Sequence, residues 1–117
     1  MQHTHIDRAI DYIEFTAPDL TAIKKFYSDV FGWTFQDWGD DYVTFGDGRV
    51  DGGFARGEAH KGPAPLIILY SSGLEAVQEK VKASGGTIAK DTFSFPGGRR
   101  FHFADPAGNE LAVWSDK

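Results

Sequence analysis

Residues 20–32 and 74–86 are two versions of one segment, and that repeat limits what the chain can become. At an offset of 54 positions, Leu20 falls on Leu74, Ala22 on Ala76, Ile23 on Val77 and Gly32 on Gly86. Ile13 and Phe15 fall likewise on Ile67 and Leu69. The phases agree as well as the residues. In "IDYIEFT" (Ile10 to Thr16), Ile13 and Phe15 share one face of a strand, with Tyr12 and Glu14 on the other. "LTAIKKFYSDVFG" then spaces Leu20, Ile23, Tyr27 and Val30 as a helix does, with Phe26 and Phe31 widening the stripe. Asp19 is placed to cap that helix and Gly32 to stop it. Three short strand-like runs follow: "WTFQDW", "DYVTFG" and "VDGGFAR".

The second half repeats the order. "LIILY" reads as a strand, and Ser72 is a candidate cap for the helix "LEAVQEKVKASGG", which Gly85 and Gly86 end. "TIAKD", "RRFHFA" and "ELAVWS" supply three more strands. Each half is β-α-β-β-β, and a repeated unit of this kind buries its open side against its neighbour. The expectation is an α+β chain of eight strands and two helices in paired modules. Module one covers about residues 8–58 and module two about 65–116, within one domain of residues 1–117.

Composition removes several functions. With 41% apolar residues and ten Phe among 117, the chain can bury a core. No apolar run nears the roughly 18 residues of a membrane helix, and "MQHTHIDRAI" has no basic-then-apolar leader. There is no Cys, so disulfides, thiolate nucleophiles and thiolate-bound metals are absent. A soluble, cytoplasmic protein is expected. The net charge is −5 and the cations are scattered apart from Arg99-Arg100, which argues against nucleic acid as a partner. Phosphate-loop, dinucleotide, nucleophile-elbow and His-Glu-x-x-His motifs are missing. "FGDGRVDGG" has neither a following helix to cradle phosphate nor the acidic spacing of a calcium loop.

Three stretches together resemble the vicinal oxygen chelate superfamily, which contains the glyoxalase I, bleomycin-resistance and extradiol dioxygenase families. They are "IDYIEFTAPDLTAIKKFYSDVFGW", "LEAVQEKVKASGG" and the closing "FADPAGNELAVW". The likeness is nearest to its predicted lactoylglutathione lyase-related branch. The resemblance implies two βαβββ modules whose curved sheets form an open cup, with ligands bound in the cup. It also implies that relatives are often homodimers. In the metalloenzymes of the superfamily, His, Gln or Glu on the first and last strands of each module hold a divalent ion. Those positions fall here on Tyr12, Leu66 and Ala112, while "VDGGFAR" offers no such residue. Leu and Ala have no donor atom, and a tyrosine ligates only as phenolate, far from its usual pKa of about 10. No metal and no other cofactor is expected.

What remains is a cup lined by other side chains. Glu14 shares a face with Tyr12. It is a candidate general base, or alternatively an ion-pair partner of Arg56 or Arg100. The candidate ligand-binding set is Tyr12, Glu14, Trp38, Phe54, Arg56, Tyr70, Arg100, His102 and Trp114. Strand parity puts Tyr12, Glu14, Tyr70 and Trp114 in one cavity, with Arg56, Arg100 and His102 at its rim. His102 is as well explained by a structural role on its strand. His3 and His5 lie before the first strand and His60 in the linker, so none builds a ligand pair. "FPGGRR" is either a hinged flap or a plain hairpin. The function expected is metal-free binding of a small, partly aromatic molecule by a homodimer. The alternative is a metal-dependent lyase, isomerase or dioxygenase.

Overall fold

The apolar phase of each segment decides what it packs on. The computed structural model describes His5, Asp7, Ile10 and residues 12–59 and 64–117. His3, His60 and most of the intermodule linker lie outside the described residues. Module one runs β1 (Tyr12–Ala17), α1 (Leu20–Phe31), β2 (Thr34–Asp37), β3 (Tyr42–Gly46) and β4 (Asp51–Arg56). Module two runs β5 (Ile67–Tyr70), α2 (Leu74–Ala83), β6 (Thr87–Phe95), β7 (Gly98–Ala104) and β8 (Glu110–Ser115). Two separate four-stranded sheets result, ordered β1-β4-β3-β2 and β5-β8-β7-β6. In each, the first strand runs parallel to the last, and the other pairs are antiparallel. The repeat legible in the sequence is thus a repeat of topology, two βαβββ modules with sheets that do not close.

Local signals explain the helix ends. Asp19 Oδ1 accepts the Ala22 N–H at 3.0 Å, satisfying a donor the first turn leaves free. Gly32 stops α1 in the left-handed region, at φ 72°, where a side chain is disfavoured. The second helix departs from expectation. Its N-cap position is Gly73, not Ser72, and no side chain caps it. The nearby hydroxyl that is used belongs to Ser71, which accepts the Gly73 N–H at 3.1 Å. "FPGGRR" is a plain hairpin: β6 ends at Phe95, β7 begins at Gly98, and Gly97 takes φ 108° between them.

One core serves both modules. Leu20, Ile23, Phe26, Tyr27 and Val30 are the buried stripe of α1. Tyr27 stacks on Trp33 at 4.4 Å, and Trp33 on Phe45 at 4.5 Å. Across the module boundary, Phe26 and Phe31 meet Phe103 of β7 at 5.9 and 5.7 Å. Two hydrogen bonds reinforce that boundary. The Tyr27 hydroxyl donates to Asp105 Oδ2 at 2.9 Å, and Asn109 Nδ2 donates to the Thr16 carbonyl at 3.0 Å. The "DPAGN" turn is therefore a clamp as well as a turn: Asp105 Oδ1 accepts the Ala107 and Asn109 N–H groups while Oδ2 reaches into the other module. No helix among the described residues is long and apolar enough to cross a membrane.

Candidate functional site

With Ile13, Phe15, Val43, Phe45 and Phe54 turned to the helix, the other face of the first sheet is left to Tyr12, Glu14, Tyr42, Thr44 and Gly53. Tyr12 and Tyr42 lie over Gly53. A Cβ built there would stand 2.4 Å from one hydroxyl and 2.3 Å from the other, so glycine makes room for the two rings. The Tyr12 and Tyr42 hydroxyls are 2.6 Å apart, and Tyr42 donates to Glu14 Oε1 at 2.8 Å. Desolvation first, then the hydrogen bonds with Tyr12 and Glu14, holds the Tyr42 phenol well above its usual range. It therefore stays a neutral donor at ordinary pH. Trp38, 57% exposed, donates from Nε1 to Thr44 Oγ1 at 3.0 Å.

Glu14 does not pair with either arginine. Arg56 turns to Asp41 Oδ1 at 3.0 Å and to the Asp40 carbonyl, at the end of the sheet. Its register partner is Ala17, on the helix side, so parity removes it from the Glu14 face. Phe54 is displaced for the same reason: it pairs in register with Phe15, is fully buried and stacks on that ring at 5.0 Å. Phe54 and Arg56 therefore lie on the helix side of the sheet, away from the face of Tyr12 and Glu14 on which they were expected. Because Glu14 sits on an exposed hydroxyl rather than in an ion pair, Glu14→Gln is expected to cost less than about 1 kcal/mol. A thermal melt checks this; a fall in Tm beyond about 10 °C would make Glu14 a structural residue.

The second sheet presents its own helix-free face in rows across the strands. Ile68, Ala112, His102 and Lys90 form one row, and Tyr70, Trp114, Arg100 and Phe93 the next. Tyr70 and Trp114 meet edge to face at 5.2 Å. The Tyr70 hydroxyl donates to Asp116 Oδ1 at 2.7 Å, which raises the phenol's pKa and lowers the carboxyl's. His102, 7% exposed, has Nδ1 2.9 Å from Glu110 Oε2. Sequence reasoning missed Glu110 and Tyr42. The signal for Glu110 was the β7–β8 hairpin, whose pairing of Ala104 with Glu110 sets the carboxylate diagonally beside His102.

Between the modules, at the free edge of β1, runs an open groove of about 1070 Å³. Glu14 and Thr16 line it from β1, Leu66 and Ile67 from the start of β5, and His102 and Glu110 from the second sheet. Of the four residues expected in one cavity, Glu14 alone lines this groove. Tyr12 stands beside it on the first sheet, and Tyr70 and Trp114 stand farther along the second. The parity of all four is as expected. Their separation follows from the two sheets being distinct, which strand parity alone does not reveal.

The superfamily model for Glyoxalase/Bleomycin resistance protein/Dioxygenase matches residues 9–113. The chain belongs to this superfamily. Among curated members it is 29% identical over 124 residues to the anthracycline biosynthesis protein DnrV of Streptomyces peucetius, covering 88% of this chain and 45% of that protein. The chain thus spans slightly less than half the length of the curated relatives it matches. In fold it is similar to a glyoxalase/bleomycin resistance protein/dioxygenase family enzyme from Burkholderia phytofirmans, with TM-score 0.80, 16% identity, and 92% and 98% of the two chains covered. It is also similar to a lactoylglutathione lyase from Agrobacterium tumefaciens, with TM-score 0.71, 22% identity, and 94% and 95% covered.

Membership of the superfamily raises the question of a divalent metal. The residues do not fit one. Of Tyr12, Leu66 and Ala112, only Tyr12 carries a donor, and its hydroxyl is engaged with Tyr42. On β4, Gly53 is the residue that shares the face of Glu14, and the tyrosine hydroxyls cross over it. Among the described residues no group of three or more His, Asp or Glu is arranged to hold a metal ion. Hydrogen bonding and aromatic contact are what this face offers a ligand.

Proposed function

We propose that this glyoxalase-superfamily chain binds a small, partly aromatic molecule on the helix-free face of its sheets, without a metal. The observation that carries the proposal is the company the exposed rings keep. Tyr12, Trp38 and Tyr70 are 42, 57 and 51% exposed, yet each is fixed by a hydrogen bond from its polar end. A ring held in place and left uncovered offers a flat ligand a surface to stack on that needs little ordering. The groove beside Tyr12 is lined by Glu14, His102 and Glu110, which are its polar contacts. A relative named for anthracycline biosynthesis fits with this, since an anthracycline is a flat polycyclic aromatic compound.

A thermal-shift screen of flat aromatic and of non-aromatic compounds tests the proposal. A ligand at a hundred times its Kd adds about 2.7 kcal/mol, which raises Tm by roughly 10 °C. Hits that lose their shift in Tyr70→Ala support the site. Hits confined to non-aromatic compounds would sink it. The proposal extends to a homodimer that encloses the ligand between copies, because the same exposed rings, with Ile68 at 44% exposure, leave apolar surface for a partner. Light scattering is expected to give twice the 12.9 kDa chain mass, and a value near 12.9 kDa would leave binding to the single chain. The proposed location is the cytoplasm.

A further inference from the structure

We infer that the ligand is an aromatic anion, its acid group held by Arg100 and its ring system lying along the row of Tyr70, Trp114 and Phe93. This rests on the proposed binding face and specifies its ligand. A bulge sets the arrangement. The pairing of β6 with β7 slips between Lys90 and Phe93, so Lys90 opposes His102 and Phe93 opposes Arg100. Three residues apart, Lys90 and Phe93 would face opposite ways on a regular strand; the slip brings both to the helix-free face. The Phe93 ring then has Lys90 Nζ at 5.1 Å and the Arg100 guanidinium at 5.3 Å, and Arg100 also lies 5.8 Å from Phe95.

Among the described residues these cations have no carboxylate. The neighbouring arginine shows the contrast: Arg99 forks onto Glu75, whereas Arg100 has neither an ion pair nor a hydrogen bond among the described residues, and its Nε is buried without a partner. Acidic residues are not scarce, since the chain carries 17 against 12 Lys and Arg. Two residues along the same face, His102 is more than nine-tenths buried, with Nδ1 donating to Glu110 and the Nε2 lone pair left as an acceptor. A buried donor without an acceptor, as Arg100 Nε is, is costly and rare. The unpaired Arg100 guanidinium, framed by the Phe93 and Phe95 rings, makes a receptor for an oxyanion attached to an aromatic body. A guanidinium offers paired N–H groups suited to a carboxylate, and its aromatic neighbours limit the water competing for it.

The test compares 2-naphthoate with 2-naphthamide, equal in shape and different in charge, by titration calorimetry on the full chain. Wild-type protein is expected to bind the acid at least tenfold tighter than the amide. Arg100→Met is expected to remove most of that preference while leaving amide binding in place. Arg100→Gln, which keeps a polar stem, serves where Arg100→Met does not fold. Equal binding of acid and amide by wild type, or a preference that survives in Arg100→Met or Arg100→Gln, overturns the anion site and leaves the aromatic face standing. Failure of both compounds to bind overturns the aromatic face and this inference with it.

Discussion

Asp105→Ala is expected to destabilise the chain by about 3–4 kcal/mol, a fall of roughly 12 °C or more in Tm. One carboxylate accepts from two N–H groups of its own turn, from Asn109 Nδ2 at 3.2 Å and from the Tyr27 hydroxyl of the other module. Alanine would strand those donors in the interior, the Tyr27 hydroxyl above all, since Tyr27 is fully buried. The pH dependence has a definite sign. Burial raises the Asp105 pKa despite the hydrogen bonds from Asn109, Tyr27 and Ala107. A folded carboxyl with a raised pKa binds protons that the unfolded chain releases, so its ionisation subtracts stability as pH rises above the normal carboxylate range. Asp105→Asn keeps an acceptor for the turn, should cost less than Asp105→Ala, and should flatten this part of the profile. Chemical denaturation at several pH values measures both.

Phe54→Ala is expected to cost about 3–5 kcal/mol. The ring lies at the centre of the first sheet's helix side, against Phe15 at 5.0 Å, Tyr27 at 5.5 Å and Phe45 at 5.6 Å. The loss should appear as a lower denaturation midpoint with ligand affinity otherwise retained under folding conditions. A Phe54→Ala protein of normal stability and reduced affinity would return Phe54 to the binding face.

Phe54 also shows where sequence stops being informative. Alternation gave β1 its two faces, because Ile13 and Phe15 are apolar between Tyr12 and Glu14. "VDGGFAR" has no such contrast, with two glycines removing the side chains that would mark the phase. The parallel register of β4 on β1 decides it, and register is a long-range property. The helices and their apolar stripes were legible since they depend on neighbours three or four residues away, and the repeat because those stripes recur at a fixed offset. The Tyr42–Glu14 bond spans 28 residues and the Tyr27–Asp105 bond 78, so neither leaves a local trace. At Arg100 the residues were readable but their setting was not. The β6 bulge that swings Phe93 beneath the guanidinium has no glycine or proline to announce it.

Metal-free recognition of an aromatic molecule is the central claim, and one experiment bears on it most directly. Untagged protein is dialysed against chelator, its metal content is measured, and the affinity for an aromatic ligand is determined before and after. The account predicts metal well below one ion per chain at the outset and an unchanged Kd. A stoichiometric divalent ion whose removal abolishes binding would contradict it.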